Sequence, residues 1–142
     1  MRKIDYRLYY YFATAIFSLV FAVVGFSYNA WRLEETESNN NIRTASFELL
    51  TNLAQLEQIV YAAHYDKDEI AGNPRKGWVK VGLIEDLSAL ISAQVETRAI
   101  ELKETWGTNW SEMNDSREAT DQIVSSIETI RNEIKKVLRN LR

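Results

Sequence analysis

Hydrophobic and polar positions divide this chain into two kinds of text. From Leu8 to Trp31 it reads LYYYFATAIFSLVFAVVGFSYNAW, apolar all round and without one Asp, Glu, Lys or Arg. At 1.5 Å per helical residue, about 20 such residues cross a hydrocarbon layer of ~30 Å, so the run predicts a transmembrane helix. Beyond it the apolar residues become periodic. Ile42, Leu49, Leu53, Leu56, Val60 and Ala63 recur at spacings of three, four or seven, with Phe47, Leu50 and Ile59 widening the stripe. No Gly or Pro falls between Phe26 and Ala71, which predicts that the membrane helix continues outward as one rod, its outer part spanning about 32–65.

Ala71-Gly72-Asn73-Pro74 is the first breaker. Asn73 suits a helix cap and Pro74 the first helical position. Val81, Ile84, Leu87, Ile91, Val95, Ala99, Leu102 and Trp106 then line one side of an expected helix over about 74–106, with Gly107 at its end. A third helix is expected over 110–141, its start marked by Asn109 and Glu112 or by Asp115 and Glu118. Its seam is the most regular in the chain: Met113, Ser116, Thr120, Ile123, Ile127, Ile130, Ile134, Val137 and Leu141 alternate steps of three and four. Such a seam serves a coiled-coil partner or the interior of the chain's own bundle. Two further amphipathic helices joined by short turns favour the bundle. The expected fold is therefore all-α: a short N-terminus (1–7), a single transmembrane anchor (8–31) and an antiparallel, coiled-coil-like three-helix bundle (32–142). Isoleucine and valine at both seam positions leave self-assembly open.

Charge orients the anchor. Arg2, Lys3 and Arg7 precede it against Asp5 alone, whereas Glu34, Glu35 and Glu37 follow Arg32. The Lys/Arg bias predicts a cytoplasmic N-terminus and an outer domain on the far side, periplasmic if the membrane is a bacterial inner membrane. A cleaved signal peptide fits less well: the run exceeds an ordinary signal core, and bulky Tyr28 stands two positions before Ala30, the residue offered as a cleavage site. Tyr28 and Trp31 suit the headgroup interface, and antiparallel packing of three helices would bring Trp106 and Trp110 to the same level, where they would close the bottom of the bundle core, rest among the headgroups, or both. Three of the 17 Lys and Arg and one of the 20 Asp and Glu precede residue 32, leaving the outer part at net charge −5. That balance excludes generic attraction to nucleic acid. With Cys 0, neither a disulfide framework nor a thiolate metal site is possible.

Candidate chemistry is sparse. His64, the single histidine, sits in Ala-His-Tyr-Asp-Lys-Asp-Glu. It has no second nitrogen ligand at helical spacing, and Asp66 to Gly72 fails as a calcium loop because Ile70 and Ala71 stand where an oxygen donor and a glycine are needed. No nucleophile has a base to activate it, and Gly-Asn-Pro-Arg-Lys-Gly lacks the ending of a phosphate loop. No enzyme activity, cofactor or metal is expected. Three antiparallel passes would leave Arg131, Lys135, Lys136, Arg139 and Arg142 beside Lys67, Arg75, Lys76 and Lys80 as a basic tip. His64, Arg75, Lys76, Trp78 and Arg139 are accordingly the candidate partner contacts. The sequence thus predicts a membrane-anchored interaction or assembly subunit, with a protein partner or a second copy alongside the bilayer. A ligand-sensing accessory bundle and a phage-type inner-membrane spanin are the alternatives that share this layout.

Overall fold

The computed structural model describes residues 6–141. Four helices succeed one another: α1 (Tyr6–His64), α2 (Pro74–Ser88), α3 (Ala93–Asn109) and α4 (Arg117–Asn140). No strand occurs among the described residues. The chain divides into two compact units, Met1–Ser38 and Asn39–Arg142.

In the first unit α1 stands alone. Every described side chain there is exposed, including Phe12, Ile16, Phe17, Leu19, Phe21 and Phe26. Phe17 and Phe21 touch with ring centroids 5.0 Å apart, and Tyr28 and Trp31 at 6.1 Å close the apolar run. Backbone polar groups in this stretch are spent within the helix, and Thr14 donates its hydroxyl to the Tyr10 carbonyl at 2.8 Å. It is the one described helix long and apolar enough to cross a membrane. The charges at positions 2, 3 and 5 lie outside the described residues, as does Arg142.

The second unit is a bundle of four helical segments, not three. The last turns of α1 direct Leu49, Leu53, Leu56, Val60 and Ala63 inward, and all are buried. Asn73 caps α2 as expected, its side-chain oxygen accepting the Arg75 N–H at 2.9 Å, with Pro74 at the first helical position. The helix expected over 74–106 is two helices. Ser92 adopts φ −168° and ψ 157° and its hydroxyl accepts the Val95 N–H at 3.2 Å, a helix start placed in the middle of a continuous apolar stripe. Leu90 and Ile91 make short-range bonds to the Leu87 and Ser88 carbonyls, so the chain reverses within Ala89–Ser92 without a glycine or a proline. The periodicity of the stripe survives because Ile91 and Val95 are buried on both sides of the reversal.

That extra reversal sets the direction of the later helices. α2 runs antiparallel to α1, with Gly72 against Ala63 and Lys80 donating to Asn52 at 2.9 Å and to Gln55. α3 returns along α2, bringing Trp106 to Gly77 and Lys103 to Glu85. α4 therefore runs back along α1, and Arg131 reaches the Glu57 carboxylate at 2.8 Å. Three expectations are corrected here. Gly107 does not end the helix, which continues to Asn109, and no glycine has positive φ among the described residues. The last helix starts after the cap Ser116, whose hydroxyl accepts the Ala119 N–H at 3.1 Å, and not at residue 110. The C-terminal end of α4 lies toward the end where the chain enters the bundle, not beside the Pro74 turn.

The seam of α4 faces the bundle's own interior: Met113, Thr120, Ile123, Ile127, Ile130 and Ile134 are buried, and Val137 packs against them. Trp106 is the largest buried side chain. It occupies a notch in α2 where a Cβ on Gly77 would lie 2.1 Å from the indole ring, and its own Nε1–H has no acceptor. Gly82, further along α2, faces open space. Full-length protein in detergent should therefore separate the two glycines in thermal melts. Gly77→Ala should lose about 1–3 kcal/mol because the ring must move, and Gly82→Ala should gain roughly 0.5–1 kcal/mol from helix propensity. Equal effects at both positions would contradict the notch.

Candidate functional site

The polar residues singled out in the sequence gather where α1 gives way to α2. After His64 the helix ends, with Lys67 in the left-handed region at φ 53°. The Asp68 N–H then reaches back to the Ala62 carbonyl at 3.0 Å. The Asp68 carboxylate accepts the Ile70 and Ala71 N–H groups, both at 2.9 Å, and Gly72 lies so close to Ala63 that a Cβ would come within 2.5 Å of its backbone nitrogen. Lys76 closes the loop by donating to the Ile70 carbonyl at 2.7 Å. These bonds compensate a backbone position that costs a non-glycine residue on the order of 1 kcal/mol.

Against this loop sits the turn between α3 and α4. His64 donates Nδ1–H to the Met113 carbonyl at 2.8 Å; a carbonyl can only accept, so the tautomer is fixed and Nε2 is the nitrogen left over. The same carbonyl takes the Thr120 hydroxyl at 2.9 Å. Lys67 donates to the Asn114 carbonyl and stands 3.6 Å from the Asp115 carboxylate. His64 is thus a latch between distant parts of the chain, half-buried and edge-on to Tyr65 with centroids 4.7 Å apart. Its partner, a main-chain oxygen 49 positions away, leaves no mark in a sequence.

Of the remaining candidates, Arg75 projects from the first turn of α2 and carries no ion pair among the described residues. Trp78 is 40 % exposed and meets Trp106 edge-to-face at 6.4 Å. Lys76 is held by the loop. Arg139 is not part of this cluster: it lies 22 residues beyond Arg117, about 33 Å along α4, in the last turn of that helix. The expected single basic tip is therefore divided between two ends of the bundle. Much of the charge on α4 is also neutralised locally, since Arg131 pairs with Glu57 and Glu128, and Lys136 with Glu133 at 2.7 Å. Trp106 is a core residue, and Trp110, 37 % exposed, belongs to the turn beside His64. The extra reversal places both tryptophans at the end of the bundle where α1 gives way to α2, and Trp106 fills the core there.

The cavity at this end has a volume of about 330 Å³ and is rimmed by Lys67, Asp68, Glu69, Asn114 and Asp115. Ligand pockets are mostly apolar with a few convergent polar groups; this one mixes those charged and amide side chains with Ala63, Gly72 and Pro74. No group of three His, Asp or Glu is placed to hold a metal among the described residues. No family model matches this chain, and neither a curated protein nor a solved structure is similar to it.

Two ionisable groups report the local fields. Hydrogen bonds from the Ala71 and then the Ile70 amide hold the Asp68 carboxyl below its ordinary range, with Lys76 adding to the effect. Burial, followed by the neighbouring Glu57, pushes the Tyr61 phenol up, so it stays a donor to Glu57 at 3.2 Å. For Asp68 the sign is that of a depressed carboxylate. Its contribution is complete above the unfolded-state value and disappears as pH falls through the lowered folded-state value. Asp68→Ala should therefore speed amide hydrogen exchange at Ile70 and Ala71 at neutral pH, and the wild-type and variant rates should converge in acid once the intrinsic pH dependence is removed.

Proposed function

We propose that this chain is a single-pass, membrane-anchored interaction or assembly subunit whose helical bundle stands outside the cytoplasm, and that it is not a catalyst. The observation that carries the reading is the first unit of α1. Its apolar window is 0 % buried within the chain, and so many exposed Phe, Ile, Leu and Val side chains exceed the apolar patch a soluble monomer leaves in water. A bilayer is the solvent that suits them. The basic residues before the run and the acidic ones after it support a cytoplasmic N-terminus. The bundle adds a well-filled core with ion-paired faces, and its cationic groups at the loop end, Arg75 above all, lie beside the half-open Trp78. We assign that end to partner contact.

Alkaline extraction of membranes tests the anchor. The native chain should stay in the pellet. Val20→Arg together with Val23→Arg should release it, because arginine near the centre of a span costs about 2.5–3.5 kcal/mol at each position. Recovery of the native chain in the soluble fraction would end this reading.

A further inference from the structure

We infer that the outer part of α1 carries a second, outward seam by which two copies of this chain associate side by side in parallel. The inference rests on the membrane-anchored reading, which gives both copies the same orientation. In a heptad register that places Asn40, Phe47, Ala54 and Tyr61 at d, the a positions are Thr44, Thr51, Gln58 and Tyr65. The buried residues of α1 are Ala45, Ser46, Leu49, Asn52, Leu53, Leu56, Ile59, Val60 and Ala63. In that register they occupy b, c and f in three successive heptads, with no exception. One helix thus has two faces. The bundle uses one, and the a and d residues point away from it: Phe47 is 63 % exposed, and Tyr65, in the turn just past the helix, 60 %.

Polar atoms on this outward face are largely satisfied before any partner arrives. Thr44 and Thr51 donate their hydroxyls to the Asn40 and Phe47 carbonyls, both at 3.0 Å, and so present methyl groups outward. Tyr61 donates to Glu57 on its own helix. Asn40 and Gln58 remain, and in a parallel pair each faces its own copy across the twofold axis, where amides bond one another and fix register.

Charge identifies the partner and the direction. Arg43 is a g residue and Glu48 an e residue, both exposed and neither in an ion pair among the described residues. In a parallel two-stranded arrangement position 43 of one helix lies beside position 48 of the other, so a symmetric pair gains two Arg43–Glu48 contacts. The other g residues are already engaged or apolar: Glu57 holds Arg131, His64 holds Met113, and Leu50 packs on the core. In sequence the same seven-residue spacing runs back through Leu33, Phe26, Leu19 and Phe12. A second copy is therefore the occupant that matches this face in spacing, charge and orientation.

The absence of cysteine makes the test direct. Phe47→Cys and Ala54→Cys chains, oxidised in native membranes, should each give a disulfide-linked species of twice the chain mass, whereas Thr108→Cys on the exposed face of α3 should not. Within the Ala54→Cys background, Arg43→Glu should lower dimer yield roughly fivefold, the scale of losing two exposed ion pairs. Adding Glu48→Arg should restore it, which no folding defect would do. Monomer alone at positions 47 and 54, equal yields at 47, 54 and 108, or crosslinks to a different protein only, would each overturn the seam. Membrane recovery of the same samples reports separately on the anchor. If the chain is found soluble, the anchored reading fails and the yields at 47 and 54 still decide the seam.

Discussion

The approach of α2 to α3 at Gly77 decides how this bundle is put together. The Trp106 indole lies where any side chain on residue 77 would stand, so the ring of α3 packs directly on the backbone of α2, and Trp78 and Gly107 meet beside them. A large, rigid aromatic buried against a glycine pins both the spacing and the register of the pair. With that register set, the reversal at Ala89–Ser92 has its position, and α4 has its direction. The two ends of the bundle inherit their charge from this one contact. Lys67, Arg75 and Lys76 stand at one end, and Lys135 and Arg139 lie along α4 toward the other.

The helical periodicity was fully readable in the sequence, because burying apolar side chains at spacings of three and four does not depend on what covers them. The core stripes of α1 and α4, the cap at Asn73 and the end of α1 near His64 follow from residue type alone, except that Phe47, expected to widen the α1 stripe, is 63 % exposed on the opposite face. The reversal at Ala89–Ser92 does not. Ile91 and Val95 keep the phase of the stripe across it, and the capping residue is a serine without the acidic residue three positions on that marks a capping box. Counting glycines and prolines across this stretch gives an uninterrupted helix. One missed turn then inverts every later direction, which is why the tryptophan turn and the α4 half of the basic cluster were expected at the other end of the bundle. The same limit applies to the His64 latch: the donor was visible as an isolated histidine, but its acceptor is a main-chain oxygen.

A polar latch at the loop end also answers an energetic need. Carbonyls at the end of α1 and in the 110–116 turn have no helical partners, and leaving one buried and unpaired costs about 1–3 kcal/mol. Met113 lies in the core, yet its carbonyl gains two donors, from His64 and Thr120. Lys67 supplies Asn114 in the same way. The conspicuous chemistry of this loop, one imidazole among carboxylates and a lysine, is thus absorbed in satisfying backbone. The cavity beside it is what remains between the two turns after those bonds are made.

The division of labour along α1 comes from the same accounting applied to a helix. Nine inward residues at b, c and f leave the a and d side chains facing away from the bundle interior, with contacts only to their own helix and the turn that follows it. A seam that alternates Phe47, Ala54 and Tyr61 with threonine and glutamine is too polar to hold two soluble chains strongly, yet it need not. In the proposed anchored pair, confinement to one membrane would raise the effective concentration of copies and fix their direction before they meet, so a modest seam would suffice and a strong one would commit the bundle to a permanent pair. Ion pairs at the flanks, more than apolar area, then select the partner. On that proposal, the polar outward face limits the apolar area that each copy exposes to water and leaves the charged flanks to recognise a second copy.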